Sequence, residues 1–156
     1  MSLSPERLRE ITIELSARPG HEKVRSLVLA LLVDGLGAAS TEVHFERPVP
    51  EVQGRIDALL GRTVFEFKSD LRREIRDAEQ KLARYLGERE AETGQRFVGI
   101  ATDGATFLPC ELCHGDLRKL PPFVTNVDKS RDLLAWLGAV VAVSADPRSH
   151  TGDSAA

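Results

Sequence analysis

The sequence predicts an α/β domain, or an α+β one, built on a mixed central sheet flanked by helices. Some segments carry an apolar stripe at helical spacing, and others alternate or run as short apolar strands. One long helical segment separates two strand segments, which implies a parallel crossover between neighbouring strands. The chain has 156 residues, of which 42% are hydrophobic and 29% charged, as expected for a soluble domain with its own core.

Four helices are predicted. Ser4 is placed to cap the first, with Pro5 in its first turn, and Pro19-Gly20 ends it near Arg18. Apolar stripes predict the others at residues 21 to 36, about 70 to 89, and 130 to 143. We therefore expect a single domain over residues 1 to 145, followed by a polar linker or tail over 146 to 156.

Five strands are predicted, and the order of elements is α, α, β, β, β, α, β, β, α. Asp103-Gly104 is a turn signal between the last two strands, and this role accounts for Asp103 without catalysis. The predicted strands are residues 41 to 46, 55 to 60, 63 to 68, 97 to 101 and 106 to 112.

The second and third strands form a candidate hairpin that brings two acids together. If Gly61-Arg62 is a two-residue type II′ turn, Asp57 lies opposite Glu66, and Lys68 is a diagonal neighbour on the same face. Directly opposed residues have Cβ atoms roughly 4.5–5.5 Å apart, where two carboxylates repel each other. A divalent cation such as Mg²⁺ or Mn²⁺ would relieve that repulsion.

The opposite face of this hairpin is apolar, and it sets the register. Its residues are Ile56, Ala58, Leu60, Phe65 and Phe67. The competing interpretation of the charged face is a structural ion pair between Lys68 and one acid on a solvated sheet. The residues of the hairpin alone leave both interpretations open.

The composition and the N-terminal sequence limit the possible functions. The net charge of −3 gives no general attraction to nucleic acid, so a polyanion site must be a local patch. The chain has no apolar run long enough to cross a bilayer, and MSLSPERLRE lacks the apolar core of a secretory signal. We therefore expect a cytoplasmic protein with reduced cysteines and no membrane partner.

The stretch CELCH, residues 110 to 114, matches the c-type haem attachment pattern and half of a zinc site. The lack of an export signal argues against haem, and the lack of a second paired half-site argues against zinc. A strand accounts for the stretch better, with Cys110 and Leu112 alternating and Cys113 at the strand end.

The spacing of Asp57 and Glu66-Phe67-Lys68 resembles the signature of the PD-(D/E)XK nuclease superfamily, with Ile56 in place of the nominal proline. The similarity covers most of residues 20 to 115 and includes GIATDGATFLPCEL, which resembles the closing strands of type I restriction-subunit nuclease domains. It implies a restriction-endonuclease-like αβββαβ core. The resemblance also places Glu22 on the helix that completes the metal site, and QKLARYL near a Gln-Leu-x-x-Tyr pattern, with Gln80 one position early.

The resemblance implies a Mg²⁺- or Mn²⁺-dependent endonuclease that hydrolyses DNA phosphodiester bonds. Asp57, Glu66 and Lys68 would be catalytic, with the metal held by Asp57, Glu66, the Phe67 carbonyl and Glu22. Lys68 would orient the attacking water and stabilise developing charge. Gln80 would be a supporting residue. The alternative is an inactive nuclease-fold domain that binds nucleic acid or a partner.

Cationic residues near this site are candidates for contacts with the DNA backbone, which would position the substrate without reading its sequence. They are Arg25, Arg55, Arg72 and Arg73, with Arg76, Lys81 and Arg84 further along the third helix. Interleaved acids also fit an ordinary solvated helix. Other restriction-modification domains or subunits are expected partners for sequence specificity, and duplex cleavage would call for two sites and hence a homodimer.

Overall fold

The computed structural model describes residues 3–38, 43–45 and 57–145. Within these residues the chain forms helices on a seven-stranded mixed sheet, so the predicted α/β class is confirmed. The helices are α1 (Pro5–Ser16), α2 (His21–Ala30), α3 (Leu71–Thr93) and α4 (Ser130–Ala145), and a π-helical turn (Leu31–Gly35) continues α2. The strands are β1 (Val43–Phe45), β2 (Ala58–Leu60), β3 (Thr63–Phe67), β4 (Val98–Thr102), β5 (Thr106–Cys113), β6 (Asp116–Lys119) and β7 (Phe123–Val124).

The sheet has the order β1-β2-β3-β4-β5-β6, and β7 also pairs with β5. Strands β3 and β4 are parallel, whereas the other paired strands are antiparallel. Helix α3 connects the parallel pair, as the long helical segment predicts. The first residue of α3 therefore follows closely after the end of β3, where Glu66 and Lys68 lie.

Both faces of the sheet are covered by helices. Residues of α1, α2 and α4 pack with Phe65 and Phe67 in one core, whereas α3 packs on Leu59 and Val64 in a second core. All five residues of β3 are buried. The face that carries Glu66 is thus covered by α3, and it is not the solvated face that the structural ion-pair interpretation assumed.

The predicted helices are present with shifted ends. Ser4 caps α1 through a 3.1 Å hydrogen bond that its hydroxyl accepts from the Arg7 N–H. The predicted second helix is α-helical only to Ala30 and then widens, since the Leu36 N–H donates to the Leu31 carbonyl. Helix α3 continues past residue 89 to Thr93, because no breaker precedes Gly94, which has a φ of 68°.

Strands β6 and β7 were missed by the sequence analysis. His114 and Gly115 have φ values of 53° and 85°, and they join Cys113 to its partner Asp116 as a two-residue hairpin loop. Positive φ at both positions is the requirement of a type I′ turn. The polar sequence of β6 hides this edge strand, because only one of its four residues is even partly buried.

Buried Asp103 connects the start of α3 to the rest of the fold. Its Oδ2 accepts hydrogen bonds from Arg18 Nε at 2.9 Å and from the Leu71 N–H at 2.8 Å. Its Oδ1 accepts from the Ala105 and Thr106 N–H groups, both at 3.0 Å. The structural role predicted for Asp103 is confirmed, and this carboxylate fixes where α3 begins relative to β3.

The structure also describes the two cysteines and the apolar character of the helices. Cys110 lies buried within β5 and Cys113 ends the strand, as the alternation predicts. Among the described helices, none combines the length and apolar character that spanning a bilayer requires. The predicted tail, residues 146 to 156, lies outside the described residues.

Candidate functional site

The hairpin of β2 and β3 has the register that the sequence predicts. Ala58 pairs with Phe65 and Leu60 with Thr63 around the Gly61-Arg62 turn. Gly61 has a φ of 58°, as the first central position of a type II′ turn requires, and Arg62 does not have a positive φ. The paired residues end at Ala58, and Asp57, directly before β2, contacts the end of β3 through the Phe67 N–H.

The predicted core face of this hairpin is also observed. Ala58, Leu60, Phe65 and Phe67 belong to the core under α1, α2 and α4. Leu59 and Val64 belong to the core under α3. Because neighbouring residues of a strand point to opposite faces, Glu66 is directed toward α3. Ile56 lies outside the described residues.

Glu66 is the most deeply buried acid of the predicted site, with a side chain that is 2% exposed. Its Oε2 lies 3.4 Å from Lys68 Nζ and 3.5 Å from Lys81 Nζ. Its Oε1 is buried and has no hydrogen-bond partner among the described residues. Desolvation, and then the charge of Asp57, raise the pKa of Glu66 to about 7 although Lys68 and Lys81 oppose this shift.

Lys68 follows β3 directly, and its side chain is 9% exposed. Besides the contact with Glu66, its Nζ donates a hydrogen bond to Asp77 Oδ2. Burial acts to lower the pKa of Lys68, but the Asp77 hydrogen bond and the two carboxylates outweigh it, so that the pKa is raised. The ammonium group therefore keeps its charge at neutral pH.

Asp57 is held at the end of the hairpin by a backbone contact. Its Oδ2 accepts a hydrogen bond of 2.8 Å from the Phe67 N–H. The same oxygen lies 3.2 Å from His21 Nε2, at the start of α2. The side chain of Asp57 is 17% exposed, so this carboxylate borders solvent whereas Glu66 does not.

Glu22 lies on α2, directly after His21, which contacts Asp57. Its side chain is 68% exposed and pairs with Arg25, and its Oε1 lies 3.1 Å from His21 Nδ1. His21 thus stands between Glu22 and Asp57. These contacts of His21 with Glu22 and Asp57 were not predicted from the sequence. The available signal was its position directly before Glu22 at the start of a predicted helix.

Of the predicted DNA contacts, Arg25 lies on α2, and the others lie on α3 or outside the described residues. Arg72 pairs with Asp70 at 2.8 Å, and hydrogen bonding from Arg72 lowers the pKa of Asp70 to about 2. Arg73 and Gln80 are exposed, and the residue after Gln80, Lys81, is the one that reaches Glu66. Arg55 lies outside the described residues.

The donor chemistry of the carboxylate pair fits a hard divalent cation. Both acids offer oxygen, and the buried Oε1 of Glu66 lacks a partner within the described chain. Among the described residues there is no cluster of three or more Asp, Glu, His or Cys side chains placed to hold a metal ion. Mg²⁺ is commonly held by one or two carboxylates together with water, so Asp57 and Glu66 meet that minimum.

Comparison of the chain with protein-family models, curated proteins and solved structures gives no match.

Proposed function

We propose that this chain is a metal-dependent endonuclease domain that hydrolyses DNA phosphodiester bonds, with the restriction-endonuclease-like core that the sequence resemblance implies. The observation that carries the proposal is the setting of Glu66. This acid is buried, lies close enough to Asp57 for that charge to raise its pKa, and has Lys68 Nζ 3.4 Å from one oxygen and no described partner for the other. A buried acceptor without a partner is uncommon in folded proteins, and a bound cation would satisfy this one.

Each residue has a defined task in this proposal. Asp57 and Glu66 would hold Mg²⁺ or Mn²⁺ together with the Phe67 carbonyl, and Glu22 would contribute directly or through water. Such a metal would supply Lewis-acid chemistry, by which a phosphoryl oxygen is polarised and a water molecule is activated. The Phe67 N–H fixes the Asp57 carboxylate, and Lys68 donates to the negative charge that develops on the phosphate. The restriction-type role, the partner subunits and the homodimer belong to the same proposal.

Metal binding is the first test, because it does not depend on cleavage. At pH 8, Mn²⁺ should raise the melting temperature of the wild-type domain, since a ligand that binds the folded state stabilises it. Asp57→Asn should abolish most of this shift. Asp116→Asn is the matched control, because Asp116 is exposed on β6, three strands from β3. Equal shifts in both variants would contradict a metal site at Asp57.

Cleavage is the second test. Plasmid incubated with Mg²⁺ or Mn²⁺ should be cut by the wild type, and Lys68→Ala should reduce the rate at least about 100-fold, as expected for loss of a charge-stabilising donor. Lys129→Ala removes an exposed lysine before α4 and should cut normally. Metal binding without cleavage would favour the inactive, binding-only alternative. Cleavage that survives Lys68→Ala would contradict the role given to Lys68.

A further inference from the structure

Four charged side chains form a compact network over the end of β3. Lys68 and Lys81 supply the two ammonium groups, and Glu66 and Asp77 supply the two carboxylates. Lys81 Nζ lies 3.5 Å from Glu66 Oε2 and 3.5 Å from Asp77 Oδ2. Lys68 Nζ contacts the same two oxygens. Each lysine therefore bridges both acids, and the formal charges of the network sum to zero.

The two carboxylates differ in their access to solvent. Glu66 lies at the bottom with a side chain that is 2% exposed, whereas the side chain of Asp77 is 54% exposed. Lys81, at 40% exposed, shares the outer position with Asp77, and the two are one turn apart on α3. An anion that arrives from solvent meets both ammonium groups at the position that Asp77 holds.

We propose that Lys68 and Lys81 form a phosphate subsite and that Asp77 fills its anion position until a phosphodiester oxygen of the substrate replaces it. This inference rests on the proposed function, which supplies the phosphodiester. A phosphate that enters beside Asp77 brings an uncompensated negative charge to the network. A phosphate that replaces Asp77 keeps the network neutral. Asp77 thus competes with the substrate phosphate for the two lysines, and Lys81 binds that phosphate.

Asp77→Asn tests this assignment, since asparagine keeps the size and the acceptor oxygen but removes the competing charge. The probe is a short fluorescein-labelled DNA oligonucleotide in EDTA at low ionic strength, followed by anisotropy. We expect binding about fivefold tighter than wild type, the change that corresponds to about 1 kcal/mol for one unit charge near the probe. Glu92→Gln is the control, because it removes one exposed acid from the same helix about 22 Å further along.

Lys81→Gln provides a second variant that does not depend on how well Asp77→Asn folds. Lys81 is partly exposed, and its loss should weaken binding about fivefold and remove the gain from Asp77→Asn in the double variant. The inference is overturned if Asp77→Asn binds no tighter than Glu92→Gln, or if Lys81→Gln binds as tightly as wild type. The binding assay contains no metal, so its result is independent of the plasmid assay. Tighter binding of Asp77→Asn together with no plasmid cleavage in Mg²⁺ or Mn²⁺ would contradict the nuclease proposal alone. Plasmid cleavage without tighter binding of Asp77→Asn would contradict the subsite alone.

Discussion

The buried carboxyl group of Glu66 should give the stability of this domain a specific pH dependence. The pKa of Glu66 is raised from 4.5 to about 7 by desolvation and by the charge of Asp57. In the unfolded chain the group titrates near its ordinary value. Between the two values the folded protein keeps a proton that the unfolded chain has released. The free energy of unfolding therefore falls as the pH rises through this window.

The magnitude follows from the two pKa values. The interval from 4.5 to about 7, at about 1.4 kcal/mol per pH unit, corresponds to about 3 kcal/mol. Because the Glu66 side chain is only 2% exposed, screening by solvent should reduce this free energy very little. Most of the change, roughly 2–3 kcal/mol, should fall between about pH 5 and about pH 8, because the unfolded carboxyl is already largely ionised at about pH 5.

Glu66→Gln isolates this effect, because glutamine is a neutral mimic of the protonated acid. Urea unfolding in EDTA would compare the variant with wild type at about pH 5 and about pH 8. The stability of the variant relative to wild type should rise by roughly 2–3 kcal/mol between the two conditions. Glu92→Gln, at an exposed acid of α3, should show a constant difference. The same difference at both pH values for Glu66→Gln would refute the raised pKa.

Two further predictions concern the framework around the site. Gly104 has a φ of 91°, and a Cβ there would lie 2.5 Å from the Leu15 carbonyl oxygen, so Gly104→Ala should cost about 3 kcal/mol or more. Gly61 has a φ of 58° and open space around it, so Gly61→Ala should lower the free energy of unfolding by only about 1–2 kcal/mol. Equal decreases for the two variants in urea unfolding would contradict the close approach of Gly104 to the Leu15 carbonyl. Asp103→Ala removes the acceptor of the Leu71, Ala105 and Thr106 N–H groups, so the free energy of unfolding should fall by about 3 kcal/mol or more. A decrease of less than about 1 kcal/mol would show that Asp103 does not hold the start of α3.

The hairpin and the crossover were predictable because both rest on local chemistry. A glycine at the first position of a two-residue turn fixes the register, and the alternation of Phe65 and Phe67 with Val64 and Glu66 fixes which side chains share a face. The long helix after Lys68 favours a parallel crossover, and β3 and β4 are parallel. The sequence alone therefore predicts the observed hairpin register and, by extension, Asp57 near the end of β3.

Other parts of the fold were hidden in the sequence because their signals are weak. Strand β6 is polar and short, so no apolar alternation marks it, although His114-Gly115 carries the turn. The extra turn of α3 depends on the absence of a breaker before Gly94, which is a weak signal for a helix end.

The sequence by itself determined the order of most elements, the register of the hairpin and the proximity of its two acids, because these depend on neighbours along the chain and on the two-residue period of a strand. Only the tertiary structure decided that α3 covers Glu66, that His21 stands between Asp57 and Glu22, and that Asp77 and Lys81 share the lysine network. Those contacts depend on how helices pack on the sheet. Burial and pairing across such an interface are set by distances that no local pattern of residues encodes.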